Sequence, residues 1–323
     1  MLELKINIVP IAFESLGVRS MCTYIETPDI RILIDPGVAL GLRYGKHPHP
    51  REYKSLMEAR RKIYEASEKA EVIIITHYHT DHYTPLKILD YLWIWSEPER
   101  VEKIYEGKRV FIKDYRNNIN FNQMRRGWIF WKLLNKIDCE TGIADGKIMK
   151  FNGTEILISN PVPHGEIRSK LGYVLMVKIT FEEENILYTS DIQGPQSEEI
   201  THQIISLKPK FIIIGGPATY VTTSIMNIEE TINNITKLKE ITTRIILDHH
   251  ILRDKNWKKY FNKIKEKVEK KDKIQTAAEY LGKRNKTLEC IRDKLYEREE
   301  PSKEFMKWCK AINKHHGKEP PPI

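Results

Sequence analysis

The feature that most constrains the fold is the run Val72-Ile-Ile-Ile-Thr76, which delivers the chain directly into His77-Tyr-His-Thr-Asp-His82. A continuous β-branched run bounded by polar residues reads as a strand buried on both faces. Such strands belong to sheets covered by helices, which places the chain in the α/β class. Phe211–Ile214 and Arg244–Leu247 repeat the pattern, each preceded by a helical candidate. The second of these runs leads into Asp248-His249-His250. Polar, chemistry-bearing residues thus follow buried strands, where α/β sheets usually place their ligands.

Leu2–Phe13, Met21–Glu26 and Ile30–Ile34 read as further strands, and about Arg51 to Ala70 as a helix. Hairpins are expected over Lys147–Ser159, turning at Asn152-Gly153, and between Tyr173–Phe181 and Ile186–Thr189. Tyr83 to Lys147 reads as mostly helical with one strand, Arg109–Lys113. Beyond Asn256 the pattern is that of polar helices ending in a disordered Pro-rich tip. Residues 1–251 are expected to form the core domain, with a helical insert over about 84–146. Residues 252–323 are expected to form a basic helical extension packed on or beside it.

The cluster itself carries chemistry. His77 and His79, two apart at a strand end, project to the same side and can chelate one ion. Asp81 and His82 follow closely enough to face a second. Imidazole and carboxylate together suit zinc, with manganese or iron as alternatives.

The string HxHxDH resembles the signature of the metallo-β-lactamase superfamily, whose members are mostly two-metal hydrolases. The chain is similar to an uncharacterised archaeal branch of it. The resemblance implies a four-layer αββα sandwich, here with a helical insert and a helical C-terminal extension. It implies that His77, His79 and His164 hold the first ion, that Asp191 bridges both, and that Asp81, His82 and a late histidine complete the second site. The late histidine is His249, by the local pattern, with His250 as the alternative. Asp35 resembles a carboxylate that orients metal-binding histidines. The implied mechanism is hydrolysis by a hydroxide shared between two divalent ions. Asp191 and Asp81 hold the ions, and Asp81 also accepts the nucleophile's proton. In this fold the loop carrying His47 and His49 would open towards the metals, and Arg168 and Lys170 follow His164 closely enough to meet an anion. The 82-residue gap from His82 to His164 is wide enough for a lid.

Composition bears on the substrate. Lys and Arg outnumber Asp and Glu by 9, and the whole excess lies beyond residue 251. A basic tail could meet a polyanion, but a charge run of this kind reads chiefly as a solvated helical face rich in Lys and Glu. Arg125 and Arg126, near Trp128 and Trp131, could meet phosphates beside stacked bases, although Trp93, Trp95, Trp128 and Trp131 read chiefly as core residues. The first functional expectation is therefore a phosphodiester substrate, nucleic acid or nucleotide. The alternative is a small ester, lactone, thioester or phosphorylated metabolite under a lid. A third reading is a metal- or nucleic-acid-binding protein without turnover. Four cysteines without CxxC spacing, no signal peptide pattern and no long apolar run point to a reduced, cytoplasmic protein off the membrane. Oligomeric state is left open.

Overall fold

The computed structural model describes residues 5–87, 91–167, 170–221, 227–267, 274–315 and 319–323. Two sheets form its centre. The first has six strands in chain order: β1 (Asn7–Phe13), β2 (Met21–Glu26), β3 (Arg31–Ile34), β4 (Val72–Ile75), β5 (Arg109–Ile112) and β6 (Glu140–Ile143). The first three run antiparallel to one another, and β3 to β6 run parallel. The second sheet is built from β7 (Ile148–Phe151), β8 (Thr154–Ile158), β11 (Val177–Phe181), β12 (Glu184–Tyr188), β13 (Phe211–Gly215), β14 (Arg244–Asp248) and β15 (Ile274–Gln275). Its order is β15-β14-β13-β12-β11-β8-β7. A separate pair, β9 (Val162–Pro163) and β10 (Tyr173–Val174), closes the loop that bears His164.

The central strands β3, β4, β13 and β14 are mostly apolar because both their faces are buried. Ile32, Ile34, Val72 and Ile74 point between the sheets, against Ile179, Ile186, Ile213 and Ile246. Their alternates Leu33, Ile73 and Ile75 point outward beneath the helix Pro50–Lys69, which contributes Tyr53, Leu56 and Ile63. On the far side, Leu187, Ile212, Ile214 and Ile245 lie beneath helices Glu198–Ser206, Ile228–Ile241 and Trp257–Glu266. The result is a helix–sheet–sheet–helix sandwich, each strand feeding two cores by its period-2 alternation.

Three expectations change. The segment 84–146 is more than a helical insert, because β5 and β6 extend the first sheet and the helix Phe121–Leu134 between them seats Phe130 and Leu134 on its outer face. Residue 251 is not an edge of the layered core: β15 pairs in parallel with β14, and Trp257–Glu266 belongs to the outer helical layer. Helix Lys303–His315 returns to the first sheet's outer layer, where Phe305 packs edge-on against Tyr53. The Pro-rich end also packs, with Pro321 buried and the Glu319 carbonyl accepting from Trp308 Nε1 at 3.2 Å. Among the described residues no helix is long and apolar enough to cross a membrane, and the four cysteines are free.

Candidate metal centre

The sheets converge where β3, β4, β12 and β14 end, and the predicted ligands follow those ends in the chain. Several turns there adopt the left-handed conformation without glycine: Asp35 at φ 49°, Ser190 at 57°, Gln193 at 58° and His249 at 64°. Backbone strain of this kind collects where a side chain must be aimed. Gly37 has a different reason, since a Cβ there would stand 2.2 Å from the Tyr83 backbone nitrogen. The Asp35-Pro36-Gly37 turn therefore fits flush against the loop holding Asp81 and His82.

Two ligand groups emerge. In the first, His77 Nε2 and His164 Nε2 each stand 3.2 Å from His79 Nδ1, and His164 Nε2 is 2.9 Å from Asp191 Oδ2. In the second, His82 Nε2 is 3.4 Å from His249 Nε2, and His249 Nε2 is 3.8 Å from Asp81 Oδ2 and 3.5 Å from Asp191 Oδ2. The four donor atoms of the first group lie within 4.8 Å of one another, as do those of Asp81, His82 and His249. Asp191 Oδ2 faces both groups. His250, the alternative last ligand, also reaches Asp191 Oδ2 at 2.9 Å and bonds Tyr220 through Nδ1 at 2.8 Å.

Burial and neighbouring charge keep most of these groups ready for a cation. Burial and the adjacent histidines hold His77 well below the usual imidazole range and His79 down to about 3. Burial opposes ionisation of Asp191, but His250, His164 and His249 outweigh it and hold its carboxyl well below the usual range. Asp81 is likewise lowered against burial, chiefly by His82 and Arg253. His249 is the exception: burial resists its charge, yet Glu14 lifts it to about 10. Its Nδ1 meets Glu14 at 2.7 Å and donates to that carboxylate, so Nε2 faces Asp191 and Asp81. That is the position a cation would take. Converging imidazole nitrogens, and a buried Asp191 Oδ1 with no hydrogen-bond partner, fit divalent metal binding.

A supporting layer orients the ligands. Asp35 accepts from the Thr76 amide at 2.8 Å, the Thr76 hydroxyl at 2.6 Å and Tyr188 at 2.8 Å, and meets His82 Nδ1 at 2.8 Å. This fixes the His82 tautomer with Nε2 free for metal. Glu14 does the same for His249 and also pairs with Arg253, which donates to Asp81 at 3.2 Å. Gln193 contacts His164 Nδ1 at 3.3 Å, and Gln123 of the helix Phe121–Leu134 contacts His79 Nε2 at 3.5 Å. Sequence reasoning missed Glu14, Arg253, Tyr220, Gln193 and Gln123. Glu14 carried one signal, as an acid directly after the apolar strand Asn7–Phe13.

Other expected site residues lie elsewhere. His49 is buried as the N-cap of the helix Pro50–Lys69, accepting from the Arg51 amide, with its Nε2 2.8 Å from the Glu299 carbonyl. His47 stacks near Trp93 at 6.0 Å. The helix start and the Glu299 carbonyl occupy the His49 ring, and the His47 ring lies against Trp93. Arg168 lies outside the described residues. Lys170 is exposed. Trp128 and Trp131 do not share an environment: Trp128 is 48% exposed, while Trp131 packs against the core beside Tyr115. Trp95 is buried, as expected of a core residue. Arg125 and Arg126 are exposed beside a cleft of about 350 Å³ that reaches Thr80 of the metal loop.

The metallo-β-lactamase superfamily model matches residues 16–275. The chain belongs to this superfamily. Within it, the chain is 39% identical to a UPF0282 protein of Methanopyrus kandleri over 90% of this chain and 98% of that one. It is 41% identical to a UPF0282 protein of Thermococcus gammatolerans, over 91% and 96% of the two chains. A crystal structure from Veillonella parvula, described as a possible metal-dependent hydrolase, aligns with TM-score 0.49 and 13% identity over 80% of this chain and 94% of that chain. As a metallo-β-lactamase superfamily member, the chain carries its His/Asp cluster at the strand ends where the sandwich opens.

Proposed function

We propose that the chain is a dinuclear metal-dependent hydrolase acting on a phosphodiester of a nucleotide or nucleic acid. The observation that carries the reading is Asp191, whose Oδ2 stands within reach of His164, His249 and His250 while its buried Oδ1 has no partner. Such a carboxylate is suited to bridge two cations. The first would be held by His77, His79 and His164, and the second by Asp81, His82 and His249. Zinc suits this donor set, and manganese or iron would also be accepted. Divalent ions bound here supply Lewis-acid polarisation of a substrate oxygen and hydroxide at neutral pH.

The chain's own residues do the rest. Asp35 and Glu14 keep His82 and His249 in the tautomer that leaves Nε2 open. Asp81, 15% exposed at its side chain and steadied by Arg253, is placed to accept a proton at its carboxylate. The phosphodiester preference is supported by the cleft beside Thr80, where Lys87, Arg125 and Arg126 stand with Trp93, and no described lining residue is acidic. A panel of phosphodiesters, lactones and thioesters offered to zinc-, manganese- and iron-loaded chain tests the reading. Hydrolysis of phosphodiesters by the native chain, and none by Asp191→Ala or His79→Ala chains that still fold, is expected. Turnover confined to lactones or thioesters, or full activity in Asp191→Ala, contradicts it.

A further inference from the structure

The helix Phe121–Leu134 lies against the metal loop and leaves an aromatic, cationic face uncovered. One side of it buries Gln123, Gly127, Phe130 and Leu134. Gly127 is pressed so close to Tyr78 that a Cβ there would stand 2.5 Å from its ring. Gln123 accepts from the Tyr78 amide at 3.0 Å, donates to the Leu171 carbonyl at 2.6 Å and has its Nε2 3.5 Å from His79 Nε2. The N-cap residue Asn120 also donates to the Leu171 carbonyl, at 2.7 Å. The first turn of the helix is thus held between the His77–His82 loop and the loop that bears His164.

The opposite side carries Phe121, Arg125, Trp128 and Lys132, spaced by four, three and four residues so that they share one face. All four are exposed, Phe121 by 74% and Trp128 by 48%. Lys132 Nζ stands 5.3 Å from the Trp128 ring centroid. Arg126 flanks the stripe and Lys136 follows it, both exposed, and from Tyr115 to Ile137 the sequence has no Asp or Glu. Uncovered rings set between cations in an acid-free segment match a polynucleotide, whose bases meet the rings and whose phosphates meet the cations. A second copy of this chain fits the face poorly, because two such stripes would bring like charges together. A base inside a duplex is stacked on its neighbours, so the stripe suits an unpaired strand. The stripe runs for about 16 Å at 1.5 Å per residue. It starts two residues before Gln123, and Arg125 and Arg126 also line the cleft that reaches Thr80, between His79 and Asp81.

We propose that the face from Phe121 to Lys132 binds an unpaired polynucleotide strand and leads it to the metal centre, with bases stacked on Phe121 and Trp128 and phosphates met by Arg125 and Lys132. Naming the strand as substrate rests on reading the cluster as a phosphodiesterase site. The test is fluorescence anisotropy of labelled thymidylate and uridylate strands of about 12 nucleotides, phosphorothioate-linked to resist hydrolysis, titrated with the zinc-loaded full chain. Stripe-dependent binding of either strand supports the proposal. Phe121→Ala and Trp128→Ala are each expected to weaken binding about five- to a hundred-fold, with zinc content and thermal midpoint unchanged. Arg125→Gln, which serves should an aromatic variant fail to fold, is expected to lower the slope of log affinity against log salt by about 0.7. Native affinity in the folded variants overturns the proposal. So does a duplex bound as tightly as the single strand, poly-glutamate that displaces the strand as well as unlabelled strand does, or native chain that binds no strand. Phosphodiester strands run on a denaturing gel test the reading beneath it separately. Stripe-dependent binding of strands that zinc-, manganese- and iron-loaded chain all leave uncut overturns the phosphodiesterase reading, and with it the strand's role as substrate.

Discussion

At the scale of single residues, the centre works by division of labour between atoms of the same side chain. His82 and His249 each give one ring nitrogen to a carboxylate and the other to the cluster. Losing such a partner typically costs 10- to 100-fold in metal affinity. Asp35→Asn should therefore weaken binding of the second ion by about that factor, measured by competition with a chromogenic chelator, while the first ion is held as before. Equal weakening at both positions would contradict the assignment of Asp35 to His82. The His/Asp cluster was legible because its members are polar residues that follow buried strands. The choice between His249 and His250 was less so, since both are buried and both reach Asp191. His249 also faces Asp81 and His82, whereas His250 turns its second nitrogen to Tyr220, and both stand with Asp191 in one candidate ligand group.

At the scale of elements, the stretch from Leu288 to Glu299 fastens the loop after Asp35 to the body. Its key pairs are buried: Arg292 with Glu52, at 0% and 1% side-chain exposure, and Arg19 with Glu289. Removing one partner of a buried pair leaves an uncompensated charge, at about 3–5 kcal/mol. Arg292→Met should lower unfolding stability by about that amount in denaturant titration. Glu289 gives a pH test. Burial would raise its carboxyl, but Arg19 outweighs this and holds it down to about 2, against 4.5 ordinarily. A depressed folded value means that this stability is fully present above pH 4.5 and is lost as pH falls towards 2. Glu289→Gln should accordingly be less stable than native at pH 7, with the gap closing between pH 4.5 and 2. A gap that stays constant with pH would contradict this. None of these pairings could be read from the sequence, because they join residues some 240 to 270 positions apart. The strand Glu140–Ile143 escaped for a simpler reason: Glu-Thr-Gly-Ile is short, glycine-containing and only half-buried at a sheet edge.

At the scale of the whole molecule, the sequence's basic end resolves into structure more than into a free polycation. Arg253 and Arg292 are buried in ion pairs, Lys255 pairs with Asp293, and Lys263 pairs with Glu229. Phe305 sits at 0% exposure among Tyr53 and Trp308. Phe305→Ala should cost about 3–5 kcal/mol in denaturant unfolding, as for other core aromatics. A change near zero would mean that the C-terminal helix is dispensable to the core. The layered α/β architecture was legible because the central strands β4, β13 and β14 alternate between two buried faces and so read as near-unbroken apolar runs. The extent of the body was not, since β15 is only Ile274–Gln275 and its pairing with β14 is settled by the sheet edge it covers.

The proposed bridge rests on Asp191, whose Oδ2 stands 2.9 Å from His164 and 3.5 Å from His249. Equilibrium dialysis against zinc followed by elemental analysis tests this most directly. Two equivalents per chain are expected for the native protein, falling to one or none in Asp191→Ala with the fold intact. A single equivalent in the native chain, or two retained by Asp191→Ala, would contradict a bridged pair.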